Sequence, residues 1–197
     1  MPSEAVASVL AWRDLTPMPW KNHAGSTRQL TCEPAGADLE SFVWRVSVAD
    51  VDADAPFSTF AGIDRTIVLL SGAGLNLLLD DGTAHSLTNT FAPFAFAGET
   101  GVHATLQGGA TCDFNLMVRR EAAVGTIAVH ATPGQVTLSA SAALAFVAQG
   151  HALLIDREGC TQRLEMGDSV RLGDGQARPD LQCAADTVLL VVHIDRK

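Results

Sequence analysis

The stretch Phe42-Val43-Trp44-Arg45-Val46-Ser47-Val48 decides the fold class. From Trp44 onward, apolar residues alternate with Arg45 and Ser47, the two-residue period of a strand with one face buried. Working outward, short runs rich in β-branched residues or leucine recur at 66–70, 75–79, 114–118, 126–129, 152–155 and 187–194. Turn-forming clusters separate them: Ser71-Gly72-Ala73-Gly74, Asp80-Asp81-Gly82, Gly108-Gly109, Pro133-Gly134 and Gly173-Asp174-Gly175. Strands at this spacing predict an all-β chain, a sandwich or a barrel. One helix candidate interrupts the pattern, the alanine-rich segment 139–148, which also reads as strand broken by small residues.

The chain also echoes itself. Leu70-Ser71-Gly72, the run 75–79, Gly82, Leu87 and Phe94-Ala95-Phe96 form one series. Gln149-Gly150, the run 153–155, Gly159, Leu164 and Val170-Arg171-Leu172 form a second in the same order. Two copies of one β unit explain this better than a single continuous sandwich. The turn Leu164-Glu165-Met166-Gly167-Asp168 has the LxxGD form found between cupin strands.

Composition excludes several function classes. Of 197 residues, 47% are hydrophobic and 18% charged, enough to build a core and unlike a disordered chain. The net charge of −9, with cations scattered singly apart from Arg119-Arg120, lacks the basic stripe that meets nucleic-acid phosphates. The same balance is repelled by anionic lipid, so neither nucleic acid nor membrane is expected as a partner. The first ten residues hold no Lys or Arg, unlike a secretory signal, and no apolar run is long enough to span a bilayer. Cys32, Cys112, Cys160 and Cys183 are far apart with no CxxC pairing, so reduced thiols and a cytoplasmic location are expected.

Three segments are unusually specific. The first is Met18-Pro19-Trp20-Lys21-Asn22-His23-Ala24-Gly25-Ser26-Thr27-Arg28. The second runs from Trp44-Arg45-Val46-Ser47-Val48-Ala49 to Pro56-Phe57-Ser58-Thr59-Phe60-Ala61-Gly62-Ile63-Asp64-Arg65. The third joins Phe96-Ala97-Gly98-Glu99 to Asp113-Phe114-Asn115-Leu116-Met117-Val118-Arg119-Arg120. In this order they resemble the HutD/Ves family, from about Trp12 to the C-terminus and most strongly up to Arg120. The resemblance implies a bicupin: two fused cupin-like, double-stranded β-helix barrels. Residues 1–120 would form the half bearing the motifs, and 121–197 a mainly structural half. It also implies an association with bacterial histidine utilisation and binding of a pathway intermediate such as formylglutamate, in a sensing or regulatory role rather than a catalytic one. Where relatives carry Lys-Asn-Gly-Gly-Gly, this chain has Lys21-Asn22-His23-Ala24-Gly25, which puts side chains on a bare loop.

The residues themselves point to a compatible site. Asp113, Asn115, Met117 and Arg119 share one strand face, as do Arg45 and Ser47. If those faces enclose a cavity, arginine forks there suit a ligand carboxylate. The candidate ligand-binding residues are Lys21, Asn22, Arg28, Arg45, Ser47, Arg65, Glu99, Asp113, Asn115 and Arg119. The plainer alternative is that these faces meet water, with Asp64-Arg65 a turn-fixing ion pair. His23, His85, His103, His130, His151 and His193 form no HxH pair, so no metal is expected, and no other cofactor. No GxSxG elbow or phosphate loop occurs. A metal-independent enzyme using Glu99 or Asp113 as acid or base, and a protein-interaction module, stand as alternatives, and a homodimer is left open.

Overall fold

The structure is a computed structural model that describes residues 7–173 and 178–197. Asp174 and Gly175 of the last expected turn lie outside the described residues. In chain order the strands are β1 (Ser8–Leu10), β2 (Met18–Pro19), β3 (Gly25–Glu33), β4 (Trp44–Val51), β5 (Ala55–Pro56), β6 (Ile63–Ser71), β7 (Leu75–Leu79), β8 (Ala84–Leu87), β9 (Pro93–Ala97), β10 (Val102–Leu106) and β11 (Thr111–Arg119). They continue as β12 (Ala123–His130), β13 (Gly134–Thr137), β14 (Ala142–Gln149), β15 (His151–Ile155), β16 (Thr161–Glu165), β17 (Ser169–Arg171), β18 (Asp180–Cys183) and β19 (Val188–Arg196). The only helical turn among the described residues is a 3-10 turn at Trp12–Asp14, so the chain is all-β as its alternation requires.

Of the two readings of 139–148, the helix does not form and the strand does. Ala142–Gln149 is an inner strand between β17 and β19, with every residue from Ala142 to Ala148 buried. A strand buried on both faces reads as an unbroken apolar run, and neighbouring strands override the helix propensity of alanine.

The chain divides into two compact units. Of the described residues, one gathers those up to Leu15 with Thr126–Asp195, the other Thr16–Gly125 with Arg196–Lys197. In the second, a six-stranded sheet ordered β2-β3-β4-β11-β6-β9 faces a four-stranded sheet ordered β5-β10-β7-β8. Val51, Ile67 and Leu69 from one sheet meet Leu75, Leu77, Leu87, Val102 and Ala104 from the other in a shared core. Ser71-Gly72-Ala73-Gly74 joins the sheets. Gly74 sits at φ +111, where an added Cβ would lie 2.4 Å from the Leu87 carbonyl oxygen, so only glycine fits this turn.

The other unit repeats the plan. Its sheets are ordered β1-β17-β14-β19-β12 and β13-β18-β15-β16, packed through Ala145, Val147, Leu154, Leu164, Leu181 and Leu189. Adding eight to each strand number turns β4-β11-β6-β9 into β12-β19-β14-β17 and β5-β10-β7-β8 into β13-β18-β15-β16. The sequence echo is therefore an echo of topology. In the LxxGD turn, Asp168 accepts from the Glu165 and Trp12 amides at 2.9 and 2.8 Å, which fixes the β16–β17 corner.

Candidate functional site

Strand registry assembles the site. Across β4, β11 and β6, Met117 pairs with Arg45 on one side and Arg65 on the other. Asn115 lies between Ser47 and Ile67, and Asp113 between Ala49 and Leu69. Directly paired residues share a face, so the polar residues of these rows lie on one side of the sheet. Trp44, Val46, Val48, Phe114 and Leu116 are buried on the other.

That polar face is the floor of a cavity of about 690 Å³, within the range of small-molecule sites. Its rim is built from Met18, Pro19, the Trp20–Asn22 turn, Leu39 and the segment from Pro56 to Phe60. The Trp20 indole donates to Thr27 Oγ1 at 2.7 Å, which fixes the ring as a wall. The turn at Asn22 is closed by its Oδ1, which accepts from the Ala24 amide at 3.1 Å. His23 occupies φ +57 there, a left-handed position suited to glycine, so the chain keeps the turn despite its substitution.

Two arginines share one end. Arg45 donates from Nε to Gln29 Oε1 at 2.8 Å and from Nη1 to Ser47 Oγ at 3.2 Å. Arg65 is only 9% exposed and donates from Nη1 to the Ser58 carbonyl at 3.1 Å, while its Nε has no partner. Its guanidinium lies 4.9, 5.5 and 5.7 Å from the ring centres of Phe96, Phe57 and Phe60. Burial, then repulsion from Arg45, pushes its pKa down to about 10, and burial also lowers that of Arg45. Among the described residues neither arginine makes an ion pair. Both stay cationic at neutral pH, a concentration of positive charge inside an acidic protein.

The remaining acid in the wall is Asp113, 0% exposed. Its Oδ2 accepts from Thr111 Oγ1 at 2.9 Å, and its Oδ1 has no partner. Burial above all drives its pKa up to about 7, with Asp50 adding to the rise and Thr111 opposing it. Asn115 donates to the Asp113 carbonyl at 3.2 Å, holding the two side by side.

Of the ten residues expected at the site, Lys21, Asn22, Arg45, Ser47, Arg65, Asp113 and Asn115 line the cavity. Three do not. Arg28 pairs with Val48 in the ladder, so alternation sends it to the opposite face, where Nη1 meets Asp50 Oδ2 at 2.6 Å. Glu99 is on the surface, held by Arg120 Nη1 and Nη2 at 2.9 and 3.1 Å. Arg120 also takes Asp64 Oδ1 at 2.7 Å, so the expected Asp64–Arg65 pair is replaced by Asp64–Arg120. Arg119, at the end of β11, donates to the carbonyls of Glu40 and Phe42 at 2.6 and 3.1 Å and so anchors the segment carrying Leu39. Sequence reasoning passed over Gln29, which orients Arg45, and the aromatic wall of Phe57 and Phe60. Their signal was membership of the Pro56–Phe60 motif and of the strand beside Arg45. Among the described residues no three His, Cys, Asp or Glu side chains cluster as a metal site needs.

A family model described as HutD matches residues 12–191. The chain belongs to the HutD family. A Pseudomonas putida relative, named an uncharacterized 21.2 kDa protein in the hutC 3′ region, is 37% identical to this HutD-family chain over 164 residues, covering 83% of it and 85% of the relative. Protein Ves of Escherichia fergusonii is 38% identical over 110 residues, 54% of this chain and 56% of that protein. The solved HutD of Pseudomonas fluorescens SBW25 superposes with a TM-score of 0.81 at 29% identity, over 96% of this chain and all of that one. A cupin 2 conserved barrel domain protein from Leptotrichia buccalis, 11% identical with a TM-score of 0.62 over 97% of this chain and 98% of that one, marks the HutD fold as cupin-like. Among the described residues no helix is long and apolar enough to cross a membrane.

Proposed function

We propose that this protein binds a small carboxylate metabolite in the cavity floored by β4, β6 and β11, as a sensor or carrier rather than a catalyst. One observation carries the reading: Arg45 and Arg65 converge in a half-open cavity with no carboxylate beside them, and Arg65 Nε lacks any acceptor. A buried charge without a counterion is costly, and a guanidinium matches a carboxylate with two parallel hydrogen bonds. The metabolite's carboxylate supplies the missing charge. Asn22, Ser47 and Asn115 offer neutral hydrogen bonds that set orientation, and Trp20, Phe57 and Ile67 offer apolar walls.

The hut-region name of the P. putida relative supports a histidine-degradation intermediate, such as N-formylglutamate, as the ligand. We further propose that each unit is a double-sheet jelly roll of the cupin kind, making the chain a bicupin in which the motif-bearing half holds the site. Support comes from the repeated strand order. The second half has no counterpart of the Arg45/Arg65 pair in its motifs and serves structure.

The test is a thermal-shift and calorimetry panel of N-formyl-L-glutamate, urocanate, L-glutamate and glutarate on the metal-free protein. A ligand at 100 times its dissociation constant stabilises the fold by about 2.7 kcal/mol, a Tm rise of about 5–11 °C. One acid giving that shift, with the shift lost in Arg45→Ala, supports the reading. No shift from any of them refutes it.

A second reading, a metal-independent enzyme, is favoured only by Asp113, whose pKa near neutrality suits a general acid or base. Turnover of any panel member that vanishes in Asp113→Asn is the result that would establish it.

A further inference from the structure

The cavity has two chemically distinct ends, and the carboxylate reading accounts for one of them. Asp113 lies at the other. Along β11 it stands four residues from Met117, whose row carries Arg45 and Arg65, a separation of about 13 Å between Cα positions. It is fully buried, lines the cavity and leaves Oδ1 unpartnered. A buried carboxyl with one hydrogen bond from Thr111 and no cation beside it is in its cheapest form when protonated.

Resting on the carboxylate reading, we infer that Asp113 is the specificity-determining residue of the site: as a neutral acid it donates its Oδ–H to an acceptor at the far end of the ligand. The ligand is therefore an elongated acid with one carboxylate on the Arg45/Arg65 pair and a second carboxyl or an amide carbonyl on Asp113. An α-amino acid with an apolar side chain does not fit, because its ammonium and carboxylate are adjacent and no group is left to reach Asp113. Asn115, held against the Asp113 backbone, adds a second neutral group beside the same acceptor. Burial keeps a carboxyl neutral elsewhere in enzymology so that it can donate a hydrogen bond.

The charged and titratable groups around Asp113 set the pH dependence. Arg45 on β4 and Arg65 on β6 stay cationic throughout, and Lys21 stands in the rim turn. Cys112, next in the chain, stays a thiol, its pKa pushed up to about 12 chiefly by burial. Asp50, held by Arg28 on the other face of the sheet, adds to the rise at Asp113. No histidine is among the residues lining the cavity. The pKa of Asp113, raised to about 7, puts its proton within reach of neutral buffers. Binding that needs this proton holds below pH 7 and weakens as pH rises through and above it.

The experiment is titration calorimetry of the whole protein with adipate, N-formyl-L-glutamate and hexanoate from pH 6 to 8.5, in two buffers of different ionisation enthalpy. Adipate and hexanoate share a chain length and differ only in the far carboxyl, and ordinary carboxyls are ionised throughout this window. The expected result is binding of adipate or N-formyl-L-glutamate at least tenfold tighter than hexanoate at pH 6. Its affinity should fall toward tenfold per pH unit above about 7, with proton uptake on binding. Asp113→Asn, which keeps a donor and cannot ionise, should bind the probe with a flat pH profile. A wild-type profile that is flat, or that rises with pH, overturns the role of Asp113 and leaves the arginine site standing. Absence of binding by every probe at every pH overturns the carboxylate site as well. The proton uptake is read on wild type, so the inference remains exposed to refutation even if the variant does not fold.

Discussion

Replacing Arg65 with methionine separates a binding arginine from a structural one. In the folded chain its pKa is lowered from the ordinary guanidinium range to about 10, a shift whose first cause is burial. At about 1.4 kcal/mol per unit, the charged form carries a penalty on the order of 3 kcal/mol, which methionine removes. On the other side, the variant loses one charged hydrogen bond, to the Ser58 carbonyl, worth about 1.5–3 kcal/mol. It also loses part of three ring contacts at about 0.5–1 kcal/mol each. Methionine recovers some of that, because sulfur and methylene pack well against Phe57, Phe60 and Phe96. The opposing terms nearly cancel, and the net change should stay within about 2 kcal/mol of zero, or about 4–8 °C in Tm. Ligand affinity should behave differently. Truncating one partner of a buried charge pair costs about 2–5 kcal/mol, a loss of about 30-fold to several thousand-fold. Differential scanning calorimetry reads the first quantity and titration with N-formyl-L-glutamate the second. A Tm drop beyond about 10 °C refutes the reasoning, because Arg65 would then hold the fold together. Retained affinity with an unchanged Tm refutes it from the other direction, since the anion would then bind elsewhere.

Three further outcomes follow from the same geometry. Gly25→Ala puts a Cβ 2.2 Å from the Asp50 carbonyl oxygen and 3.3 Å from Trp20, so β3 must separate from β4; a stability loss of at least about 2 kcal/mol by chemical denaturation is expected. Asp113 binds a proton more tightly folded, at about 7, than its ordinary value of 3.8, so the native state holds the extra proton between those values and stability falls as pH rises across that window. Asp113→Asn should remove this slope, gaining on the order of 4 kcal/mol over wild type at pH 8 and little at pH 4 in paired urea melts; parallel slopes in the two proteins would count against it. Iodoacetamide at pH 8 should label exposed Cys160 first and leave buried Cys32 and Cys183, and Cys112 with its raised thiol pKa, unmodified until the chain unfolds, as read by peptide mass spectrometry.

Much of this was legible in the sequence because period-two alternation is a direct record of which side chains share a face. Arg45 with Ser47, and Asp113 with Asn115, were grouped correctly on that ground alone; against the plainer expectation that Arg45 and Ser47 simply face water, Ser47 is buried and Arg45 half-buried. Alternation is silent on two other matters. It does not say which strands become neighbours, so the Arg65–Met117–Arg45 row and the support of Arg45 by Gln29 emerge only from registry. It also does not say where along a shared face the cavity ends. Arg119 lies on the expected face, two residues past Met117, yet it serves the 40–42 backbone rather than the site. Arg28 shows how sharp the limit is, since a shift of one residue moves a side chain through the sheet. The two readings left open at 139–148, helix or strand, have the same root. A run of small apolar residues carries no period, and its state is set by the strands on either side.

The energetics of the site follow from how the sheet is made. Its far face is dense with Trp44, Val46, Val48, Phe114 and Leu116, whose burial drives folding, and the same strands must then place their alternate residues somewhere. Had those been apolar, the cavity would have closed into core, as the Leu69 side of the Asp113 row does against Leu75 and Leu77. Polar alternates keep it open, and two of them are cations whose cost the free protein bears without a counterion. An acidic chain thus holds a small positive chamber whose occupation by an anion relieves a penalty already present in the fold. Ligand binding and stability are coupled there through Arg65, which is why the melting temperature of the wild type, and not that of Arg65→Met, should respond to the ligand.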